Sequence, residues 1–231
     1  MKHNRLMAML VGLSTLSVCS TQAKTAQTNL SKTEIDGLLQ MVEEEKLAGD
    51  VYQTLFEKTG LQNFANIVQS ERRHQNAVRG LLQAYGISDP TANRKLGEFS
   101  NPEFNKLYQQ LTEQGAKSNA DALKVGALIE ELDIADLNTL STQTKRADVL
   151  NVYDNLTRGS RNHLRSFDYT LKMRTNQTYQ PIHLSSSEYN AIINSAQEKG
   201  NRGMAGCQGG IGNRPGQGKG ACTQSNQPNL N

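Results

Sequence analysis

The chain has 231 residues, of which 36% are apolar and none is Trp, and its net charge is +3. This length suits one globular domain with extensions, although it could hold two. A nearly neutral chain without a dense basic segment does not support binding to nucleic acid.

The N-terminus has the features of an export signal. Lys2 and Arg5 precede the apolar run LMAMLVGLSTLSV, and small residues follow it. This run is too short to span a membrane comfortably, and no other segment approaches that length. We therefore expect residues 1–23 to be a signal peptide and the protein to be secreted or periplasmic. An alternative is a lipoprotein signal, in which Cys19 carries a lipid anchor.

Two amphipathic helices follow the signal. The first is predicted to begin at a capping box formed by Ser31 and Glu34, and to end at Gly60. The second is predicted to end at Gly86. Because only a few residues separate the two helices, we expect them to lie antiparallel as a hairpin.

A long connection and two further helices complete the predicted core. Residues 87–118 include a short helix and are too many for a tight turn, so they should carry the chain from one end of a bundle to the other. A third and a fourth helix are predicted in ALKVGALIEELDIADLNTL and in ADVLNVYDNLTRGSRNHLRSFDYTLKM. Two hairpins joined by one long crossover predict an all-α, ferritin-like four-helix bundle over residues 31–171.

A C-terminal extension follows this bundle. Residues 172–200 should contain one short helix with its own capping box, and residues 201–231 are rich in Gly and should be flexible. In an oxidising compartment, Cys207 and Cys222 are expected to form a disulfide, since two cysteines do not make a zinc site.

Charged residues interrupt the apolar stripe of each long helix. Burying a carboxylate costs several kcal/mol unless a partner charge, a proton or a metal compensates it. Two apolar stripes can be drawn on the third helix. Glu130 lies at the centre of one, with Glu131 as a close alternative to it, and Asp136 lies on the other. Glu43 and Glu44 are interpreted as part of a solvated face. The candidate metal ligands are Glu45, Glu71, His74, Glu130 and His163.

The spacing of these residues suits a metal centre. Residues i and i+3 project from one face of a helix, so Glu71 and His74 can reach one ion, and a Glu from a neighbouring helix can bridge two. Carboxylate and imidazole ligands suit iron or manganese, and zinc also accepts them. We expect one or two ions, with iron as the cofactor.

The sequence also resembles a known family. The segments EEEKLAGDVY and SERRH resemble the first half of rubrerythrin-related di-metal proteins of the ferritin-like superfamily. The longer pattern, continued by VGALIEELDIADL and RGSRNHLRSF, is similar to the domain-of-unknown-function family DUF2202. The resemblance implies oxygen or peroxide chemistry at reduced iron, that is, an oxidase or a peroxidase.

One position departs from the symmetrical di-metal pattern. Ser160 precedes His163 where a Glu would be expected, and serine is a poor ligand for these metals. Asp133, Asp136 or Glu131 could substitute for the missing carboxylate.

The alternative to an enzyme is a non-catalytic envelope protein that sequesters metal or acts as a scaffold. Its buried Glu and His residues could then belong to an ion-pair network with Arg158, Arg161 and Arg165. An oligomer is possible under either hypothesis.

Overall fold

Six α-helices follow one another along residues 30–200, the part of the chain that the computed structural model describes, and no strand occurs there. The predicted signal peptide with Cys19, and the Gly-rich tail with Cys207 and Cys222, lie outside the described residues. None of the helices in residues 30–200 is both long and apolar enough to cross a membrane. The helices are α1 (Lys32–Thr59), α2 (Gln62–Ala84), α3 (Pro102–Gly115), α4 (Asn119–Thr142), α5 (Ala147–Thr175) and α6 (Ser186–Ile193).

Local signals in the sequence set the ends of several helices. At the start of α1, the Glu34 N–H donates to Ser31 Oγ (3.2 Å) and the Ser31 N–H donates to Glu34 Oε2 (2.8 Å), which is the predicted capping box. Gly60 ends α1 in the left-handed conformation, with φ of 68°, which a glycine adopts without strain. A second capping box, formed by Ser185 and Glu188, begins α6.

The four long helices pack as two antiparallel pairs. Gly49 of α1 lies against Glu71 of α2, whereas Glu45 lies against His74, so these two helices run in opposite directions. Helix α4 is antiparallel to α5, as the contacts Gly126–Phe167 and Glu130–His163 indicate. It is also antiparallel to α1, as the contacts Tyr52–Gly126 and Gly37–Leu140 indicate. The segment between α2 and α4 therefore joins two helices that run in the same direction, as predicted for a crossover.

Apolar side chains form two clusters, one towards each end of the long helices. One cluster includes Val51, Phe64 and Phe167. The other includes Leu38, Leu82 and Leu156. On α1, α2 and α5 the charged residues of the stripe fall between the two clusters in the sequence. These residues, Glu45, Glu71, His74 and His163, form a polar layer with apolar packing on both sides, which keeps its charged groups away from water.

The crossover covers a face of α1 that we had interpreted as solvated. Glu43 and Glu44 are only 6% and 5% exposed, so that interpretation is wrong. Glu43 Oε1 accepts hydrogen bonds from the backbone N–H groups of Ser100 (2.8 Å) and Asn101 (3.1 Å), at the start of α3. A carboxylate on α1 therefore fixes the crossover in place, and this contact could not be read from the periodicity of α1 alone.

The first part of the C-terminal extension packs against the long helices. The predicted short helix is α6, and its Tyr189 hydroxyl donates to Asp168 on α5 (2.6 Å). Glu198 pairs with both Arg161 and Arg165 of α5. These contacts and the buried Tyr179 hold residues 176–198 against the long helices, whereas residues 201–231, which we expect to be flexible, lie outside the described residues.

Candidate metal centre

Five charged side chains from four helices meet in the polar layer. Glu45 comes from α1, Glu130 from α4 and His163 from α5, while α2 supplies both Glu71 and His74. Glu71 and Glu130 are fully buried, and Glu45 is 1% exposed. The structure thus brings together all five residues that the sequence singled out as first candidates.

Glu71 lies at the middle of this group. Its Oε2 is 2.9 Å from His74 Nδ1, and its Oε1 is 2.8 Å from His163 Nδ1. The two imidazole rings are stacked with their centroids 5.6 Å apart. One carboxylate therefore faces two histidines, one with each oxygen, and this is the position from which a carboxylate can bridge two ions.

A second carboxylate flanks each histidine. Glu45 Oε2 is 3.3 Å from His74 Nδ1, and Glu130 Oε1 is 3.3 Å from His163 Nδ1. The residues thus form two groups that share Glu71, namely Glu45, Glu71 and His74, and Glu71, Glu130 and His163. Within each group, all the ligand atoms lie within 4.8 Å of one another. Each group offers two carboxylates and one imidazole, which is a donor set that iron, manganese and zinc accept.

Several buried atoms of the centre lack a hydrogen-bond partner among the described residues. They include both oxygens of Glu45, Glu71 Oε1, Glu130 Oε2 and His163 Nδ1. The 2.8 Å between His163 Nδ1 and Glu71 Oε1 is short enough for an ion pair, but the two groups are not aligned for a hydrogen bond. Buried polar atoms are almost always satisfied in folded proteins. Lone pairs that converge without pairing are expected of ligands around a common ion.

Burial and mutual charge shift the pKa values of the centre in opposite directions. Burial raises the pKa of Glu45 to about 8, and it also raises that of Glu130. Burial opposes ionisation of Glu71 as well, but the positive charges of His163 and His74 outweigh it and lower the pKa of Glu71. For His163, burial is outweighed by the charges of Glu71 and Glu130, which raise its pKa to about 10. In the metal-free protein, protons on carboxyl and imidazole groups therefore balance the buried charge.

Two further buried groups border the centre. The Tyr52 hydroxyl donates to Glu130 Oε1 (2.7 Å), and burial together with the Glu130 charge raises the pKa of Tyr52, so this donor keeps its proton. Asp133 is 2% exposed, and burial followed by the charges of Glu45 and Glu130 raises its pKa. The sequence identified Asp133 as a possible substitute ligand.

The remaining candidates from the sequence lie outside the two groups. Glu131 is fully buried, but it holds the C-terminal extension: its Oε2 accepts from Tyr179 (2.5 Å), and its Oε1 accepts from the backbone N–H groups of residues 182–184. Asp136 is half-buried and lies beside Glu44. Ser160 is buried and donates to the Leu156 carbonyl of its own helix.

The three arginines of the ion-pair hypothesis point elsewhere. Arg161 and Arg165 bind Glu198, and Arg158 donates to Asn155. The ion-pair partners of the buried carboxylates in the centre are His74 and His163.

Gly159 is a feature of the centre that the sequence analysis missed. A Cβ atom on Gly159 would lie 2.4 Å from His74 Cε1 and 2.5 Å from His74 Nε2. Only glycine thus leaves room for the imidazole ring of His74 in its present position. A glycine inside a predicted helix, one turn before His163, was the signal that could have indicated this close approach.

Comparison with known proteins identifies relatives of the whole described unit. Residues 34–196 match the family described as "Uncharacterized protein domain (DUF2202)". The chain is 50% identical over 173 residues to the uncharacterized protein MJ0754 of Methanocaldococcus jannaschii, a match that covers 74% of this chain and 92% of that one. A crystal structure of hypothetical protein MJ0754 superposes with a TM-score of 0.72, covering 73% of this chain and 96% of that one. The chain belongs to the DUF2202 family.

Proposed function

We propose that this protein is a ferritin-like metal-binding protein that holds two iron ions in its polar layer. One ion would lie between Glu45, Glu71 and His74, and the other between Glu71, Glu130 and His163. The single observation that carries the proposal is the position of Glu71, whose two oxygens face two histidines in a fully buried layer.

The donor set fits such ions better than it fits a network of ion pairs. With both histidines protonated, three ionised carboxylates would leave one negative charge in excess, so without metal one carboxyl group has to keep a proton, in line with the raised pKa values of Glu45 and Glu130. Ion pairs should also align into hydrogen bonds, yet both oxygens of Glu45 and one of Glu130 have no such partner among the described residues. Metal cations would replace these protons and also satisfy the unpaired oxygens.

Iron is the proposed metal because its preferred ligands, carboxylate oxygens and imidazole nitrogens without thiolate, are present and because the sequence resembles rubrerythrin-related di-metal proteins, which implies iron. Manganese and zinc share this preference, so the ligands alone favour a group of metals rather than one. The ferritin-like assignment is supported by two antiparallel helical pairs, a crossover between α2 and α4, and ligands from all four long helices.

The proposed activity is oxidation of Fe(II) or removal of peroxide, and we propose that it takes place outside the cytoplasm, after export directed by residues 1–23. Bound iron would supply the electrons for reduction of oxygen or peroxide. The chain's own residues hold the ligands in a water-poor layer, and Tyr52 orients Glu130 through its hydroxyl.

A protein that only sequesters metal would bind once and stop, whereas an enzyme would consume oxygen or peroxide over many turnovers.

The proposal is tested by elemental analysis of the purified protein after anaerobic loading with Fe(II). We expect two equivalents of iron in the parent, and a loss of both in Glu71→Gln, which keeps the shape of the side chain. His74→Ala and His163→Ala should each lose one equivalent. His183→Ala is the matched control, because His183 is an exposed histidine outside both groups.

The same samples separate the alternatives. Equal metal content in the parent and in Glu71→Gln would contradict the proposed centre. No metal in any sample, with all of them folded, would favour the scaffold hypothesis. Two equivalents without repeated turnover of oxygen or peroxide would favour sequestration over catalysis.

A further inference from the structure

A second site is indicated by a surface pocket between α1, α2 and the crossover. Its volume is about 280 Å³. Pockets for drug-sized ligands begin at about 300 Å³, so this pocket suits a small ion or molecule. Helix α2 supplies Arg72, Gln75 and Arg79, which are spaced three and four residues apart and therefore share one face of the helix. The crossover supplies Arg94, and α1 supplies a wall that includes Glu45. We call this the arginine pocket.

The part of the crossover that carries Arg94 is fixed to both helices of the pocket. On one side of Arg94, the Gln75 amide donates to Thr91 Oγ1 (3.2 Å). On the other side, Lys46 Nζ donates to the Lys95 carbonyl (2.8 Å). Because its backbone is held between these two contacts, Arg94 is kept beside α1 and α2 instead of moving with a free loop.

The charges that line the arginine pocket do not balance. All but two of the charged residues have a partner of opposite charge, in the pairs Lys46–Asp50, Arg79–Asp89 and Glu45–His74. Arg72 makes no hydrogen bond or ion pair within residues 30–200. Arg94 donates to Ser100 Oγ (2.9 Å) but has no acidic partner in that part of the chain. Two positive charges therefore remain without a counter-charge in one pocket.

This surplus of positive charge specifies the ligand. Each guanidinium offers a planar fork of N–H donors that matches the oxygens of a phosphate group. A phosphate monoester carries about 1.5–2 negative charges at pH 7, which balances two arginines. We propose that the arginine pocket binds a phosphate group, either free or as the monoester of a small molecule, between Arg72 and Arg94. Neither arginine belongs to the metal-ligand groups, so this site stands whether or not the centre holds metal.

The test is calorimetric titration of the purified protein with inorganic phosphate at about pH 7.5 and constant ionic strength. Glycerol 3-phosphate presents the same group on a small organic molecule, so the two titrations distinguish a free phosphate from a monoester. Succinate carries a similar total charge on two separate carboxylates. Each titration is performed on chelator-treated and on manganese-saturated protein, so that phosphate bound directly to metal is recognised.

We expect both phosphate compounds to bind more tightly than succinate in both metal states, because each carboxylate of succinate carries only half of the charge. Tighter binding of glycerol 3-phosphate would identify a monoester as the ligand, and the reverse would identify free phosphate. Arg72→Gln and Arg94→Gln should each weaken phosphate binding by about tenfold, since each removes a charge-assisted hydrogen bond. Arg73→Gln is the matched control, because Arg73 is exposed on the same helix but does not line the pocket, and it should bind as the parent does.

Four results would overturn the proposal. If Arg72→Gln and Arg94→Gln bound phosphate unchanged, the anion would lie elsewhere. An equal loss in Arg73→Gln would reduce the effect to general surface charge. Succinate binding as tightly as phosphate would make the pocket a dicarboxylate site. Heat from phosphate with the manganese-saturated protein alone would place the anion on the metal, and no heat in either state would mean that the pocket holds only water.

The chelator-treated samples keep this test separate from that of the metal centre. Phosphate binding there is expected even if the polar layer holds no iron, and its absence would leave the metal content of the parent unaffected.

Discussion

Replacing Gly159 with alanine is predicted to damage one half of the metal centre and leave the other half intact. The new Cβ would lie 2.4 Å from His74 Cε1, whereas real Cβ atoms essentially never come closer than 3.0 Å, so the ring has to retreat by at least 0.6 Å. Glu71 and Glu45 contact the same ring through Nδ1, so this retreat changes the distances that define their ligand group.

The effect on stability combines two opposing contributions. Alanine in place of glycine stabilises a helix interior by about 0.5–1 kcal/mol. Forcing an extra methyl group into a packed site costs about 1–3 kcal/mol. Gly80→Ala isolates the first contribution, because a Cβ at Gly80 meets nothing within 4 Å. The difference in the free energy of unfolding between Gly159→Ala and Gly80→Ala should therefore be about 1–3 kcal/mol.

Metal binding provides the sharper assay. Displacing a ligand by altering its surroundings typically lowers metal affinity by about 10- to 100-fold. In anaerobic Fe(II) titrations, Gly159→Ala should retain one tight ion, at the group with His163, and bind the second weakly. Gly80→Ala should bind as the parent does. If Gly159→Ala matched Gly80→Ala in both stability and metal binding, the position assigned to His74 would be wrong.

Three further predictions concern the surroundings of the centre. Glu45 and His163 both have a raised pKa in the folded protein, to about 8 and about 10. The stability that they contribute is therefore complete at low pH and is lost as pH rises through those values. In the presence of chelator, the free energy of unfolding measured with urea should fall from about pH 5 to pH 10. The increase in that free energy on adding metal should become larger over the same range, because metal binding releases protons. An increase independent of pH would contradict this prediction. Tyr52→Phe removes the donor to Glu130, so it should destabilise the fold by about 1–2 kcal/mol and weaken one ion by about tenfold, as measured by unfolding and metal titration; unchanged metal affinity would limit Tyr52 to packing. Glu131→Gln should cost about 1–3 kcal/mol by loosening the extension while leaving the metal content unchanged in elemental analysis; lost metal would show that Glu131 belongs to the centre.

The helices and much of the centre could be predicted because their signals are local. Ser31 and Gly60 mark the ends of α1 through backbone chemistry that depends only on neighbouring residues. On α1, α2 and α5, a Glu or His interrupts a single apolar stripe, so burial of that residue follows from helical periodicity. Glu45 and Glu71 could therefore be assigned to the interior without any knowledge of the tertiary contacts.

The rest depended on contacts between distant parts of the chain. Helix α4 is buried on several sides, so Glu130 and Glu131 are both fully buried and periodicity cannot separate them. Their roles differ because the C-terminal extension covers Glu131, whereas Tyr52 binds Glu130. Glu44 was assigned to the surface for a similar reason: α3 covers that face of α1, and nothing within α1 indicates it.

The most direct test of the account is anomalous diffraction, at the iron edge, from crystals of the protein loaded anaerobically with Fe(II). The account predicts two peaks on either side of Glu71, one beside His74 and the other beside His163. A single peak away from Glu71, or no peak in crystals that retain the polar layer, would contradict the proposed centre.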